Sequence, residues 1–319
     1  MFRSFFGSKK WMLWAYGGGF LLLLSLYLQV HMNVLINAWY NGFYDLLQNA
    51  PKHSLSEFWA QIIKFCWIAF PYIVLATITS YITRLYAFRW REAITFDYIP
   101  RWRNVAHDVE GSSQRIQEDI QRFASMVESL GLQIVNALFT LVAFIPVLWN
   151  LSKKINYGFL AHLPGSLVML AILMSLGGMA VSWFVGWFLP GLQYNNQKVE
   201  AAFRKELVYG EDDKSNYAHI GTLIDLFTGL RINYHRLYLH YGYFDLWLNL
   251  YSQAMVIIPF LVIAPGMFMG LITLGFLMQT VNAFSQVRDS LMLLVNNWVN
   301  ITELRSIHKR LKEFEKNIS

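Results

Sequence analysis

WMLWAYGGGFLLLLSLYLQVHMNVLINAWYNGFY, residues 11–44, contains no Asp, Glu, Lys or Arg. About 20 apolar residues cross a bilayer core, so this stretch holds one complete span, read here as 11–34. Arg3, Lys9 and Lys10 precede it and no small-residue cleavage site closes it, so an uncleaved span is expected and not a signal peptide. Working outward, 155–197 and 246–287 are also free of charged residues. The expected spans are 11–34, 65–83, 123–149, 163–189, 246–264 and 269–287. The fold class that follows is an all-α polytopic membrane protein with six transmembrane helices, treated as a single domain over 1–319. Pro71 is an expected kink in the second span, which a membrane helix tolerates. The Pro190-Gly191 pair is expected to end the fourth, and Pro259, Pro265, Gly266 and Gly270 to mark the turn between the fifth and sixth.

Composition supports the same class. Of 319 residues, 55% are hydrophobic, 17% aromatic and 14% charged, where soluble domains carry roughly 25% charged residues. That balance excludes a soluble enzyme, and a disordered or nucleic-acid-binding chain would need dense charge and few large apolar residues. The net charge of +6 is explained by topology. With a cytoplasmic amino terminus, the inner side holds Arg3, Lys9 and Lys10, seven Arg between Arg84 and Arg122, six basic residues between Lys198 and Arg236, and six from Arg288 to Lys316. Only Lys52, Lys64, Lys153 and Lys154 lie on the outer side. A division of 22 to 4 among 26 basic residues places both termini in the cytoplasm. The single cysteine, Cys66, lies in an apolar run and reads as an inert thiol.

Two long polar segments, 84–122 and 190–242, alternate with short outer connections. Helices that project into the cytoplasm and return produce this spacing, which is the layout of the membrane half of an ABC exporter. No G-x-x-x-x-G-K-[ST] occurs, nor even a Gly-Lys dipeptide, so no ATP hydrolysis by a P-loop is expected of this chain. At the carboxyl end, Leu304, Ile307, Leu311 and Phe314 recur at helical spacing within a basic stretch. This predicts an amphipathic helix over about 301–316, lying on the inner face, on a neighbouring subunit, or on its own chain.

Glu128 is the candidate that stands on physics alone. A carboxylate inside a membrane helix costs roughly 2.5 to 3.5 kcal/mol on insertion scales, so such residues normally face a polar cavity and function there; the alternative is an interfacial residue just ahead of the span. Glu118 and Arg122, like Glu200 and Arg204, have the acid-first i, i+4 spacing of helical ion pairs. Glu200 and Glu211 share a face, about three turns apart, if the helix continues through Gly210. Glu211, Asp212 and Asp213 form an acidic run that reads as a solvated face, or as a cluster in which like charges raise one member's pKa. Asp45 follows the aromatic Trp39, Tyr40, Phe43 and Tyr44, which fit interfacial anchoring or the mouth of a substrate cavity. Arg288 and Asp289 interrupt the last span. The histidines at 53, 107, 162, 219, 235, 240 and 308 show no metal-ligand spacing, and no metal or cofactor is expected.

Several uninterrupted stretches resemble one family. HDVEGSSQRIQED at 107–119 with RFAS at 122–125, NQKVEAAFRKELVYGEDD at 196–213, NAWY at 37–40, FYD at 43–45, FRWR at 88–91 and the region from QVR at 286–288 to KRL at 309–311 closely resemble the SbmA/BacA family of bacterial inner-membrane peptide transporters. The resemblance covers nearly the whole chain. It implies an ABC-exporter-like membrane domain without the ATPase, not an enzyme, working as a homodimer in the bacterial inner membrane. It further implies proton-driven import of peptide substrates such as antimicrobial peptides, microcins and glycopeptide-type antibiotics. The family's proton-handling glutamates fall on Glu118, Glu128, Glu200 and Glu211. His31 stands where the family carries a membrane glutamate, so the proton-handling set is altered there, to a group of unperturbed pKa about 6.5 whose charged form is a cation. An additional first hydrophobic segment of the family has no counterpart ahead of residue 11. Two other readings stay open: a membrane subunit that docks a separate ATPase, and a non-transporting membrane scaffold.

Overall fold

The computed structural model of the chain describes residues 1–105, 111–155, 157, 158, 163 and 165–318. His107, Asp108, Val109 and Glu110 of the quoted motif, and His162, lie outside the described residues. Among the described residues every regular element is helical: α1 (Phe2–Phe6), a π-helical turn (Leu13–Gly18), α2 (Gly19–Gln48), a short 3-10 turn (Ala50–Lys52), α3 (Leu55–Asn104), α4 (Ser112–Gln114), a second π-helical turn (Arg115–Asp119), α5 (Ile120–Ser152), α6 (Ser166–Gly186), α7 (Leu189–Asp212), α8 (Ile220–Phe268), α9 (Leu274–Asn296) and α10 (Trp298–Asn317). Among the described residues, five segments are long and apolar enough to cross a membrane: Leu13–Gln48, Leu55–Asn104, Ser112–Ser152, Ser166–Asp212 and Ile220–Phe268. The sixth expected span falls on α9, which has the length. Its polar Gln279, Asn282, Ser285 and Gln286, with Arg288 and Asp289, keep it outside that apolar group. Large apolar side chains such as Leu13, Trp67, Val142 and Phe184 remain exposed, as lipid-facing residues do.

The helices outrun the lipid. α3 has 50 residues, about 75 Å at 1.5 Å per residue, against a hydrocarbon core of about 30 Å. The second span is therefore one part of a much longer helix than 65–83. It starts at a capping box, in which the Glu57 N–H donates to Ser54 Oγ (3.4 Å) and the Ser54 N–H to Glu57 Oε1 (3.2 Å). Its polar half is held by i, i+3 and i, i+4 ion pairs, Arg89–Glu92 and Arg101–Asp97, so charge extends the helix instead of ending it.

Two expected breaks are corrected. Pro190 opens α7, in a first turn where the missing N–H costs no intrahelical bond. Pro259, Pro265 and Gly266 lie within α8, and the turn before α9 is made at Gly270, whose φ of 72° suits glycine. Pro71 lies within α3, as a proline tolerated by a membrane helix does. The carboxyl-terminal helix packs on its own chain, with Ile307, Leu311 and Phe314 buried in a cluster with Tyr98, Ile120 and Phe123.

The chain divides into two compact units, residues 1–172 with 259–319, and residues 173–258. In the first, a cluster around Trp90, Ile94, Tyr98 and Phe123 ties α1, α3, α5 and α10 together, and a second around Phe144, Leu148, Phe276 and Phe284 ties α5 to α9. In the second unit, the end of α6 packs on α8. Trp247 Nε1 donates to Ser182 Oγ at 2.8 Å and the Tyr251 hydroxyl to the Met174 carbonyl at 3.2 Å. A Cβ at Gly178 would sit 2.3 Å from the Tyr251 ring, so glycine there permits the approach.

α7 continues through Gly210. Its return to α8 is made by Asp213, whose carboxylate accepts from the Asn216 amide (2.7 Å) and from the Ser215 hydroxyl (2.7 Å) and N–H (3.0 Å). These bonds hold the Asp213 carboxyl below the usual range, the opposite of the rise that crowding of like charges would bring. Ala218 closes the turn at a φ of 55°, and a Cβ on Gly210 would lie 2.4 Å from its Cβ. Left-handed backbone costs a non-glycine residue about 1 to 2 kcal/mol. Ala218→Gly should therefore raise stability by about 1 kcal/mol. Gly210→Ala alone should lower it, and the double variant should recover most of that loss. Thermal melts followed by tryptophan fluorescence measure all three.

Candidate functional site

α5 carries Glu128 two turns inside its first residue, half-buried. No ion pair reaches it among the described residues, and the charge that acts on it is Arg84 of α3. At the start of α5 the charges are dense and paired. Arg122 meets Glu118 at 2.8 Å and Glu303 of α10 at 3.3 Å. Next to them Asp119, only 1% exposed, takes Arg115 at 2.7 Å and a two-point contact from Arg310 of α10, at 2.8 and 3.1 Å. The Arg122 pairs are exposed and worth little. The Asp119 cluster buries a carboxylate that is satisfied only while both guanidiniums stay.

The residues expected at a mouth make contacts within the fold. Trp39 is buried, donates from Nε1 to the Gln61 carbonyl at 2.9 Å, and stacks on Phe43 at 4.4 Å between ring centroids. Tyr40 stacks on Tyr44. The Asp45 carboxylate accepts the Gly275 N–H at 2.8 Å, in the first turn of α9, where an anion is favoured by the helix dipole. It also lines, with Asn49, His53, Glu57 and Gln61, an open recess of about 320 Å³ between α2 and α3. His31 is exposed on α2 and makes no hydrogen bond or ion pair among the described residues.

Glu200 and Glu211 belong to the other compact unit, both on α7. Glu200 does not pair with Arg204. Its carboxylate instead accepts the Tyr234 hydroxyl of α8 at 2.8 Å. Glu211 is exposed. Arg288 pairs with its neighbour Asp289 at 2.6 Å, and Cys66 is a free thiol, partly buried.

A row of neutral polar side chains in the apolar part of the first unit is absent from the charge-based reading. Asn37 Nδ2 donates to the Gln279 carbonyl (2.8 Å) and to Asn282 Oδ1 (3.0 Å), and Asn41 Nδ2 to Gln279 Oε1 (2.9 Å). Farther along α2, Ser25 bonds Thr79 of α3, and Gln29 Nε2 donates to the same Thr79 hydroxyl at 2.9 Å. The available signal was amide spacing. Asn37 and Asn41 are four apart and Gln279 and Asn282 three apart, inside runs without charge.

The sequence matches the model of the SbmA/BacA-like family over residues 8–319. The chain belongs to the SbmA/BacA-like family. Its relatives include the inner membrane ABC transporter ATP-binding protein YddA of Escherichia coli, 26% identical over 89% of this chain and 54% of that protein. An uncharacterized ABC transporter ATP-binding protein of Synechocystis is 25% identical over 98% of this chain and 47% of its own length. ABC transporter D family member 2, chloroplastic, of Arabidopsis thaliana is 28% identical over 86% and 39%. The chain thus spans about half the length or less of the curated relatives it matches. As a member of the SbmA/BacA-like family it is an all-α, multi-pass membrane protein.

The Asp119 cluster yields a direct test. Arg310→Ala leaves a buried carboxylate with one partner and should cost roughly 3 kcal/mol, whereas Glu303→Ala at an exposed pair should cost no more than about 1 kcal/mol. Thermal unfolding of the purified protein in detergent compares them. Equal losses would mean that Asp119 is not the anchor of α10.

Proposed function

We propose that this SbmA/BacA-like protein is a transporter that imports peptides across the bacterial inner membrane, driven by the proton gradient. It works as a homodimer in lipid with both termini cytoplasmic. Its cargo class is that of the family resemblance: antimicrobial peptides, microcins and glycopeptide-type antibiotics, moved without chemical change and without a cofactor.

The observation that carries the reading is Glu128, a half-buried carboxylate on a spanning helix with no ion pair among the described residues. An acid placed so is costly unless it exchanges protons or meets cargo. Protonation from the more acidic outer side removes that cost, and release inside restores it. A proton shifts a two-state equilibrium only by its differential affinity for the two states, so outward and inward forms give Glu128 different surroundings. On this reading Glu118, Glu200, Glu211 and His31 are the further proton-coupling residues.

A second reading has its own support. The relatives named above are ABC transporters, two of them named as ATP-binding proteins, and the matched part is about half of each or less. On that reading the chain is the membrane part of an ATP-driven system, docking a separate ATPase.

Reconstitution decides between them. Liposomes with an imposed pH gradient, acid on the peptide side and no ATP, should take up a fluorescent proline-rich peptide. Glu128→Gln should insert and fold normally yet reduce uptake to background, and full uptake by that variant would remove Glu128 from the mechanism. Uptake only with ATP and an added ATPase would establish the second reading. No uptake under either energy source would leave a membrane scaffold.

A further inference from the structure

Four residues of α2, Asn37, Asn41, Asp45 and Gln48, are spaced by four, four and three and so lie along one face of the helix. They meet α9 in reverse order, at Asn282, Gln279, Gly275 and Leu274. Asn37 reaches Asn282 and the Gln279 carbonyl, and Asn41 reaches the Gln279 side chain. The Asp45 carboxylate takes the Gly275 N–H, and Gln48 Oε1 takes the Leu274 N–H at 2.7 Å. This is a continuous antiparallel seam that closes on the otherwise unpaired N–H groups of the first turn of α9.

A second observation fixes the same register by shape. A Cβ on Gly275 would lie 2.0 Å from the Asn41 carbonyl oxygen and 2.4 Å from Asp45 Oδ1. The two backbones touch where the hydrogen bonds converge, and only glycine fits. A slip of one helical turn, about 5.4 Å, would part every pair in the seam and drive a side chain into that contact. The neighbouring helices pack against this pair largely through apolar side chains, with fewer side-chain hydrogen bonds. α2 bonds α3 at the Thr79 hydroxyl, which serves both Ser25 and Gln29, and at the Gln61 carbonyl, which accepts from Trp39 Nε1. α9 and its C-cap meet α5 by one side-chain hydrogen bond among the described residues, Asn297 to Gln133.

We infer that α2 and α9 form one rigid strut that stays in register through the transport cycle, so that rearrangement takes place at the contacts of other helices with this pair. The inference rests on the transport reading given above, and its test separates the two.

On a Cys66→Ser background, spin labels at Leu35→Cys and Ser285→Cys report the strut, and labels at Leu35→Cys and Leu246→Cys report the other compact unit against α2. Distances are measured in proteoliposomes at rest and under the pH gradient with the proline-rich peptide. The strut distance should keep its centre and width while the reference distance shifts. A shift of the strut distance overturns the strut, whatever the reference does. If neither distance shifts under either energy source, the transport reading falls and takes the strut's role with it. Gly275→Ala supplies the independent check, because a Cβ at that contact should broaden the strut distribution in resting protein. An unchanged distribution there also overturns the inference. Where a label at 285 prevents insertion, Met278→Cys on the same helix replaces it.

Discussion

Hydrocarbon offers a backbone amide no partner, so each spanning segment must satisfy its own N–H and C=O groups along the helix. The rest of the molecule follows from that demand. Once the backbone is closed on itself, only side chains can join one helix to another, and in lipid apolar burial gives them little preference for protein over solvent. Close backbone approach and side-chain hydrogen bonds do the joining. Gly275 against Asn41, Gly178 against Tyr251 and the amides of α2 and α9 are the places where this happens. Interhelical hydrogen bonds of this kind average about 0.6 kcal/mol each, so several in one register are needed to fix a pair of helices.

The same demand sorts polar chemistry by type. Neutral amides and hydroxyls occupy the apolar stretch of the first unit, where Ser25, Gln29, Asn37, Asn41 and Thr79 meet their partners. Full charges collect where the helices run past the apolar stretch: Asp119 with Arg115 and Arg310, and Arg122 with Glu118 and Glu303. α10 is joined to the rest by those ionic contacts and by Ile307, Leu311 and Phe314. Glu128 is the exception to the sorting, a full charge past the paired cluster with Arg84 acting on it.

Much of the architecture was legible because apolar length is a property of sequence alone. The charge-free run at 11–44 holds one spanning helix, and the amphipathic spacing at 301–316 holds α10. Helix ends were less legible. Proline breaks a helix only where its missing N–H matters, and the first turn of α7 and the interior of the membrane helix α8 both hold it. Glu118 and Arg122 pair as their spacing predicts, since both partners are on one helical face. Glu200 has the same spacing to Arg204 and pairs elsewhere, because α8 brings the Tyr234 hydroxyl within 2.8 Å. A local rule holds until a tertiary neighbour offers a better partner.

What the sequence by itself determined is class and family: a chain that must be helical and membrane-spanning, carrying long unbroken stretches of an SbmA/BacA-like pattern. Those follow from composition, run length and residue order, which need no third dimension. The tertiary structure alone decided which polar groups meet. Asn37 and Asn282 are far apart in the chain, Asp119 and Arg310 share no local pattern, and the pairing of each depends on how two helices are set in register. Register is a property of packing, fixed by where a backbone such as that at Gly275 approaches another, and no periodicity within one helix encodes it.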